Sequence, residues 1–112
     1  MKTKVFEKYN AVIIELKGDV MGGDDTKEFN QLLHKLIDEG KKNVVVDLGE
    51  VKFMNSSGLG MLISGLTTVK RENGSLKLAN VTEKIESLLI ITKLITIFES
   101  FDSVDDAVKS FG

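Results

Sequence analysis

Cysteine, proline and tryptophan are absent from this sequence of 112 residues, and histidine and tyrosine occur once each. Without cysteine there is no disulfide, no thiol nucleophile and no thiolate metal site. A lone His34 excludes His-rich zinc centres and most acid–base dyads. Proteins average about 5% proline, so its complete absence is a real bias of composition. With no Trp and a single Tyr there is no platform on which bases would stack. Fifteen basic and 17 acidic side chains leave a formal charge of −2. No cationic excess is available to neutralise a phosphate backbone, and nucleic acid is not an expected partner. Neither a metal nor a cofactor is expected, and the chain carries little of the usual catalytic equipment.

What is present describes a folded unit. The composition is 42% hydrophobic and 29% charged, as in a globular chain. The length is close to the commonest domain size, so one domain over residues 1–112 is expected. Charges interrupt every apolar run between Met1 and Lys8, unlike a signal peptide. The longest nearly apolar stretch, Leu88 to Ile91, falls far short of the roughly 20 residues of a membrane span. The expectation is a cytoplasmic protein with no membrane partner, monomeric when free.

Val5 to Leu16 reads as two short strands around a turn at Tyr9-Asn10, ended by Gly18 and Asp19. Asp25-Thr-Lys-Glu28 reads as a helix start with an Asp cap. Phe29, Leu32, Leu33, Leu36 and Ile37 then follow the i, i+3, i+4, i+7, i+8 spacing of one helical face, and Gly40 stops the helix. His34 lies about 140° from that stripe, at 100° per residue, and reads as a surface residue. Three consecutive valines in Asn43-Val-Val-Val-Asp47 predict a strand buried on both faces. Leu59, Leu62, Ile63 and Leu66 predict a second helix, ended by Asn73-Gly74. A half-buried strand at Ser75–Ala79, a helix from Thr82 to Ile91 with Ile85, Leu88 and Leu89 inward, and an extended segment at Ile97–Phe101 follow. Ser103-Val-Asp-Asp106 opens a last helix. This β-β-α-β-α-β-α-(β)-α order predicts an α/β fold. It implies a mostly parallel sheet of four to five strands, an antiparallel edge and about four helices.

The segment with chemical content is Asn55-Ser56-Ser57-Gly58-Leu59-Gly60, where a loop turns into a helix. Asn or Ser at such a place caps the helix by accepting from its free N–H groups. Two glycines in a first turn cost about 1 kcal/mol each against Ala. Either close packing or the need for a flat surface has to account for them. A phosphate on Ser56 or Ser57 would sit in the positive potential of the helix start and add roughly −1.5 to −2 charges there. Capping alone also accounts for serines at a helix start, and the residues by themselves leave both readings open.

With its order of elements, Phe53-Met-Asn-Ser-Ser-Gly-Leu-Gly60 resembles the STAS domain of bacterial anti-sigma factor antagonists. Leu16-Lys-Gly-Asp19, Val44-Val-Val-Asp-Leu48, Phe98 and the Ser103-Val-Asp-Asp106 helix start extend the resemblance over about residues 4 to 110. The resemblance implies a protein that binds an anti-sigma factor, itself a serine kinase, and so releases a sigma factor. Phosphorylation by that kinase ends the binding, and a phosphatase resets the cycle. The implied phosphoacceptor is Ser57, with Ser56 the second candidate. The implied partner surface comprises Gly18, Asp19, Met21, Gly22, Gly23 and Asp24 on one loop. Phe53, Met54, Asn55, Ser56, Gly58, Leu59, Gly60 and Met61 supply the rest, with the exposed face of the following helix. The chain departs from the family at Asn55, where Asp is usual. Asn retains the capping oxygen but removes a negative charge beside the acceptor.

Two alternatives follow from the same residues. One is a STAS scaffold that binds without phosphorylation. The other is a small-ligand or nucleotide-binding module using the helix start as an anion site. Against the latter stand the missing Gly-x-x-x-x-Gly-Lys loop and the absence of clustered carboxylates at a strand end.

Overall fold

Ile13 and Ile14 are adjacent and both fully buried, as are Val44, Val45 and Val46. Neighbouring strand residues point to opposite faces, so these two strands must lie inside a sheet covered on both sides. A computed structural model, which describes residues 1–111, has this architecture. The elements are β1 (Lys2–Lys8), β2 (Ala11–Val20), α1 (Asp24–Asp38), β3 (Asn43–Met54), α2 (Ser56–Arg71), β4 (Ser75–Ala79), α3 (Glu83–Ile91), β5 (Ser100–Phe101) and α4 (Val104–Lys109). The sheet order is β1-β2-β3-β4-β5. β1 pairs antiparallel with β2, and every later pairing is parallel. The α/β class, the antiparallel edge and the four helices expected above are all present.

One face of the sheet packs under α1, α2 and α3 through Phe29, Leu33, Leu62, Leu66, Ile85 and Leu89. Among the described residues the other face is covered by α4, through Ala107 and Val108 against Ala11, Ile13, Val45 and Ala79, with Phe101 and Phe111 packed at its margin. Beneath α4, Lys77 is the one charged side chain buried among the described residues. Its ammonium donates to Ser110 Oγ at 2.7 Å and stands 4.4 Å from the Phe111 ring and 3.5 Å from the Glu99 carboxylate. Hydrogen bonding and a ring face thus compensate the desolvated cation. Lys8 and Asp105 form a further, exposed pair between β1 and α4.

Helix ends follow local chemistry. Gly40 has φ +78°, and the amides of Gly40 and Lys41 donate back to Ile37 and Leu36, the double bond of a Schellman stop. Asn73, at φ +62°, ends α2 in the same way, with Gly74 donating to Val69. Thr82 and Ser103 cap α3 and α4 through their hydroxyls. Four expectations need correction. β4 is buried on both faces and not half-buried, because Leu76 and Leu78 pack under α2 and α3 while Lys77 and Ala79 lie under α4. α1 starts at Asp24 behind Gly23, with no side-chain cap. Asp25 lies inside the first turn, its carboxylate 3.7 Å from the Met1 amino group. β2 does not stop at Gly18 but continues to Val20, because Gly18 at φ +88° and a register shift bend the strand without ending it. β5 is only Ser100–Phe101. Phe98 is drawn into the core and Ile97 donates its amide to Leu94 in a turn, so the residues before Ser100 do not join the ladder.

β2 and β3 overhang the rest of the sheet. β4 pairs with β3 only from Asn43 to Asp47, whereas β2 stays paired as far as Met54. α2 begins directly beyond this overhang and is seated by glycines. A Cβ on Gly58 would overlap the Val20 carbonyl oxygen and lie 2.9 Å from its carbon. A Cβ on Gly65 would lie 2.6 Å from the Phe29 ring. Gly60 has open space instead.

Gly58→Ala is therefore expected to destabilise the fold by about 2–3 kcal/mol, because a backbone carbonyl blocks the methyl group. Gly60→Ala should be neutral or stabilising by up to about 1 kcal/mol. Urea denaturation of the two variants beside the parent measures the contrast. Lys77→Ala is expected to raise amide exchange across α4 while α1 and α2 stay protected, as read by hydrogen-exchange mass spectrometry.

Candidate functional site at the start of helix α2

The first four N–H groups of a helix lack intrahelical partners. In α2 these belong to Asn55, Ser56, Ser57 and Gly58. The Asn55 amide donates to the Val20 carbonyl at 3.4 Å, and the Gly58 amide donates to Asn55 Oδ1 at 2.8 Å. The first intrahelical bond follows, from Leu59 N–H to the Asn55 carbonyl at 3.0 Å. Asn55 is thus the cap, in the extended backbone conformation the position requires. Ser56 and Ser57 are the first and second residues of the helix. Both are exposed, and neither hydroxyl is hydrogen-bonded among the described residues. The capping alternative for the serines is thereby removed, and both hydroxyls are uncommitted.

Two outward N–H groups remain at Ser56 and Ser57. The first turn of α2 has no acidic residue, whereas Lys70 and Arg71 lie in its last turn. The positive end of its dipole is left uncompensated from within the helix. The neighbouring start of α1 differs, with Asp24 and Asp25 in its first turn. A group at Ser57 therefore meets a helix end favourable to an anion, with carboxylates at the neighbouring start of α1.

That loop is held against Ser57 by Gly22. A Cβ on Gly22 would lie 2.5 Å from the Ser57 Cβ, and its φ is +82°. Both space and backbone conformation demand glycine there. Gly22 is buried, while Met21 beside it is 45% exposed. Phe53, on the other side of Asn55, is 49% exposed. Large apolar side chains left half in water on both flanks of the serines are what a docking surface presents.

The residues named from sequence separate into two groups. Asp19, Met21, Gly23, Asp24, Phe53, Ser56, Ser57 and Gly60 are exposed, and Gly18 and Asn55 are half-buried. Gly22, Met54, Gly58, Leu59 and Met61 are buried and support the others from beneath. The two early glycines also divide by cause. Close packing requires Gly58, whereas Gly60 leaves the surface flat. The contacts of Gly22 with Ser57 and of Gly58 with Val20 join distant parts of the chain, so neither partner is named by the local sequence. Their only local signals were the Gly22-Gly23 pair and the cost of glycine in a helix.

The arrangement offers an exposed hydroxyl that no side chain among the described residues hydrogen-bonds. No group of three or more His, Asp or Glu side chains able to hold a metal occurs among the described residues. Open α/β sheets bind nucleotides where the strand order reverses. Here the order is monotonic and α1–α3 share one face, so that crevice is absent.

Comparison with known proteins agrees with this geometry. The family model described as "STAS domain" matches residues 3–107. The anti-sigma-B factor antagonist of Bacillus subtilis is 31% identical over 100 residues, covering 88% of this chain and 86% of the relative. The fold is also shared with an anti-sigma factor antagonist from Mycobacterium paratuberculosis, at TM-score 0.80 and 20% identity over 97% of this chain and 92% of that one. The Bacillus cell fate determinant SpoIIAA in its phosphorylated form superposes at TM-score 0.76 and 15% identity, covering 99% of this chain and 100% of that one. A sheet extended by the β2–β3 overhang, a capped helix start beyond it and a match along nearly the whole length have one meaning: this chain belongs to the STAS domain family.

Proposed function

We propose that the chain is an anti-sigma factor antagonist that works in the cytoplasm by partner switching. It binds an anti-sigma factor that is also a serine kinase, and so releases a sigma factor. The observation that carries this reading is the free, exposed Ser57 hydroxyl at the second position of α2, left uncommitted because Asn55 supplies the cap. Relatives named anti-sigma-B factor antagonists support the role. SpoIIAA, solved in unphosphorylated and phosphorylated forms, supports phosphorylation as the switch.

The chain itself acts as substrate and ligand, not as enzyme. In the phosphorylation step, Ser57 Oγ attacks the γ-phosphorus of ATP. The Oγ–P bond forms, the bond to ADP breaks, and the hydroxyl proton passes to a base of the kinase. Met21, Phe53 and the flat backbone at Gly60 form the binding surface of the unmodified protein. A dianion at its centre would have to be desolvated for the same contact, whereas in the free protein water and the helix start stabilise it. Binding is lost without any need to refold the domain. A phosphatase restores the hydroxyl.

Asn55 favours a second reading, constitutive binding without phosphorylation, because the charge usual beside the acceptor is missing. The cap itself is intact at 2.8 Å. Under the leading reading the amide slows phosphoryl transfer and leaves binding unaffected.

Incubation with its anti-sigma factor kinase, Mg²⁺ and ATP is expected to add one phosphate, absent in Ser57→Ala, by intact-mass measurement. Titration calorimetry should show the phosphorylated protein binding at least about a hundredfold more weakly, roughly 3 kcal/mol. A chain that binds but takes no phosphate would be the constitutive binder. Asn55→Asp is expected to raise the phosphorylation rate several-fold with the dissociation constant unchanged, checked in a single-turnover assay.

A further inference from the structure

The exposed ring of Phe53 is also one wall of a groove. Its floor and sides are Met54, Ile85, Leu88 and Ile91, its volume is about 230 Å³, and Lys52 and Lys84 stand on its rim. It lies where β3 overhangs β4, against the face of α3 that carries Lys84, Leu88 and Ile91 at i, i+4 and i+7. Ile91 is 78% exposed and lines the same groove as the half-exposed Phe53, so the two belong to one apolar patch and are not scattered single residues. Two cations and no carboxylate line the groove, and neither Glu83 nor Glu86 of the same helix reaches its walls.

Size and position identify an occupant. Sites for small molecules usually enclose about 300–1,000 Å³. This groove is smaller and suits one or two side chains. A stable protein interface takes about 800 Å² per partner and some 20–30 residues. The exposed residues around Ser57 are too few for that. On one side the surface continues as the polar face of α1, with Lys27, Glu28 and Gln31 exposed. On the other it continues as apolar surface, from Phe53 directly into the groove.

We infer that the groove between Phe53 and α3 receives an apolar side chain from an acidic segment of the partner that engages Ser57. Lys52 and Lys84 pair with that segment's carboxylates. The inference rests on the reading of Ser57 as the partner-facing residue and adds α3 to the surface, as a docking and specificity element remote from the phosphorylated atom.

The test uses the full chain and the purified anti-sigma factor kinase. Ile91→Asp and Lys84→Glu change exposed positions, and an unaltered melting temperature verifies the fold. Ile91→Asp is expected to weaken binding at least tenfold and Lys84→Glu at least threefold. Both should raise KM for Ser57 phosphorylation by the same factors at unchanged kcat, since neither side chain touches Ser57. Unchanged binding and KM in both variants would overturn the inference while leaving the Ser57 reading intact, because Ser57→Ala in the same assay reports on that reading alone. Loss of binding in Ile91→Asp with no phosphate added to the parent would support the groove and remove the switch. No binding of the parent overturns both. A concentration-dependent dimer in sedimentation velocity, abolished by Ile91→Asp, would assign the groove to a second copy and overturn the acidic-partner assignment.

Discussion

The carbonyl of Val20 is the fixed point of the molecule. It closes β2, accepts from the Asn55 amide and lies against the Cα of Gly58. One atom thereby joins the last residue of a strand, the cap of a helix and the first turn that presents the serines. A side chain at position 58 would push α2 away from the β2–β3 overhang and break the bond that the Asn55 amide donates to the Val20 carbonyl. The place of Ser57 in space follows from a backbone contact and not from any interaction of its own side chain, which is why its hydroxyl is free to react.

The same contact explains why the loop after β2 belongs to the site. Once Val20 is held under α2, the chain has only Met21, Gly22 and Gly23 in which to turn and start α1. Gly22 takes a left-handed conformation beneath Ser57, and Gly23 does so in open space. Two helix starts are thus brought side by side at one end of the sheet. One is balanced by Asp24 and Asp25; the other has no acidic residue in its first turn. The asymmetry is a property of sequence, but it acquires meaning only through the juxtaposition.

Much of this was readable from local pattern. The stripe Phe29, Leu33, Leu36, the triple valine, the Gly40 and Asn73-Gly74 stops and the Thr82 and Ser103 caps each act within a few residues, so spacing and residue type suffice to find them. The Asn55-to-Gly60 motif was legible for the same reason. What was not legible depends on residues far apart in the chain. Gly58 and Gly22 stand out in sequence as glycines that need a reason, but their partners, Val20 and Ser57, are too far along the chain to be read from local pattern. The strand at Gly18 continues because β3 beside it supplies partners, which a turn residue alone cannot reveal. The short β5 reflects Phe98 being drawn into the core. The groove at α3 arises because β4 ends before β3 does, a mismatch of lengths that no single segment contains.

The chain ends also have a polarity. The Met1 amino group lies 3.7 Å from Asp25, in the first turn of α1 and near the Gly22 turn. Val108 and Lys109, near the other end, lie beside Tyr9 and Asn10 at the β1–β2 hairpin, where β2 begins rather than ends. The molecule is 32 Å along its longest axis. The two ends of the sheet are thereby distinct: the serines stand where β2 finishes, and the β1–β2 hairpin and α4 lie at the other end, so a partner seated on Ser57 leaves the hairpin end uncovered.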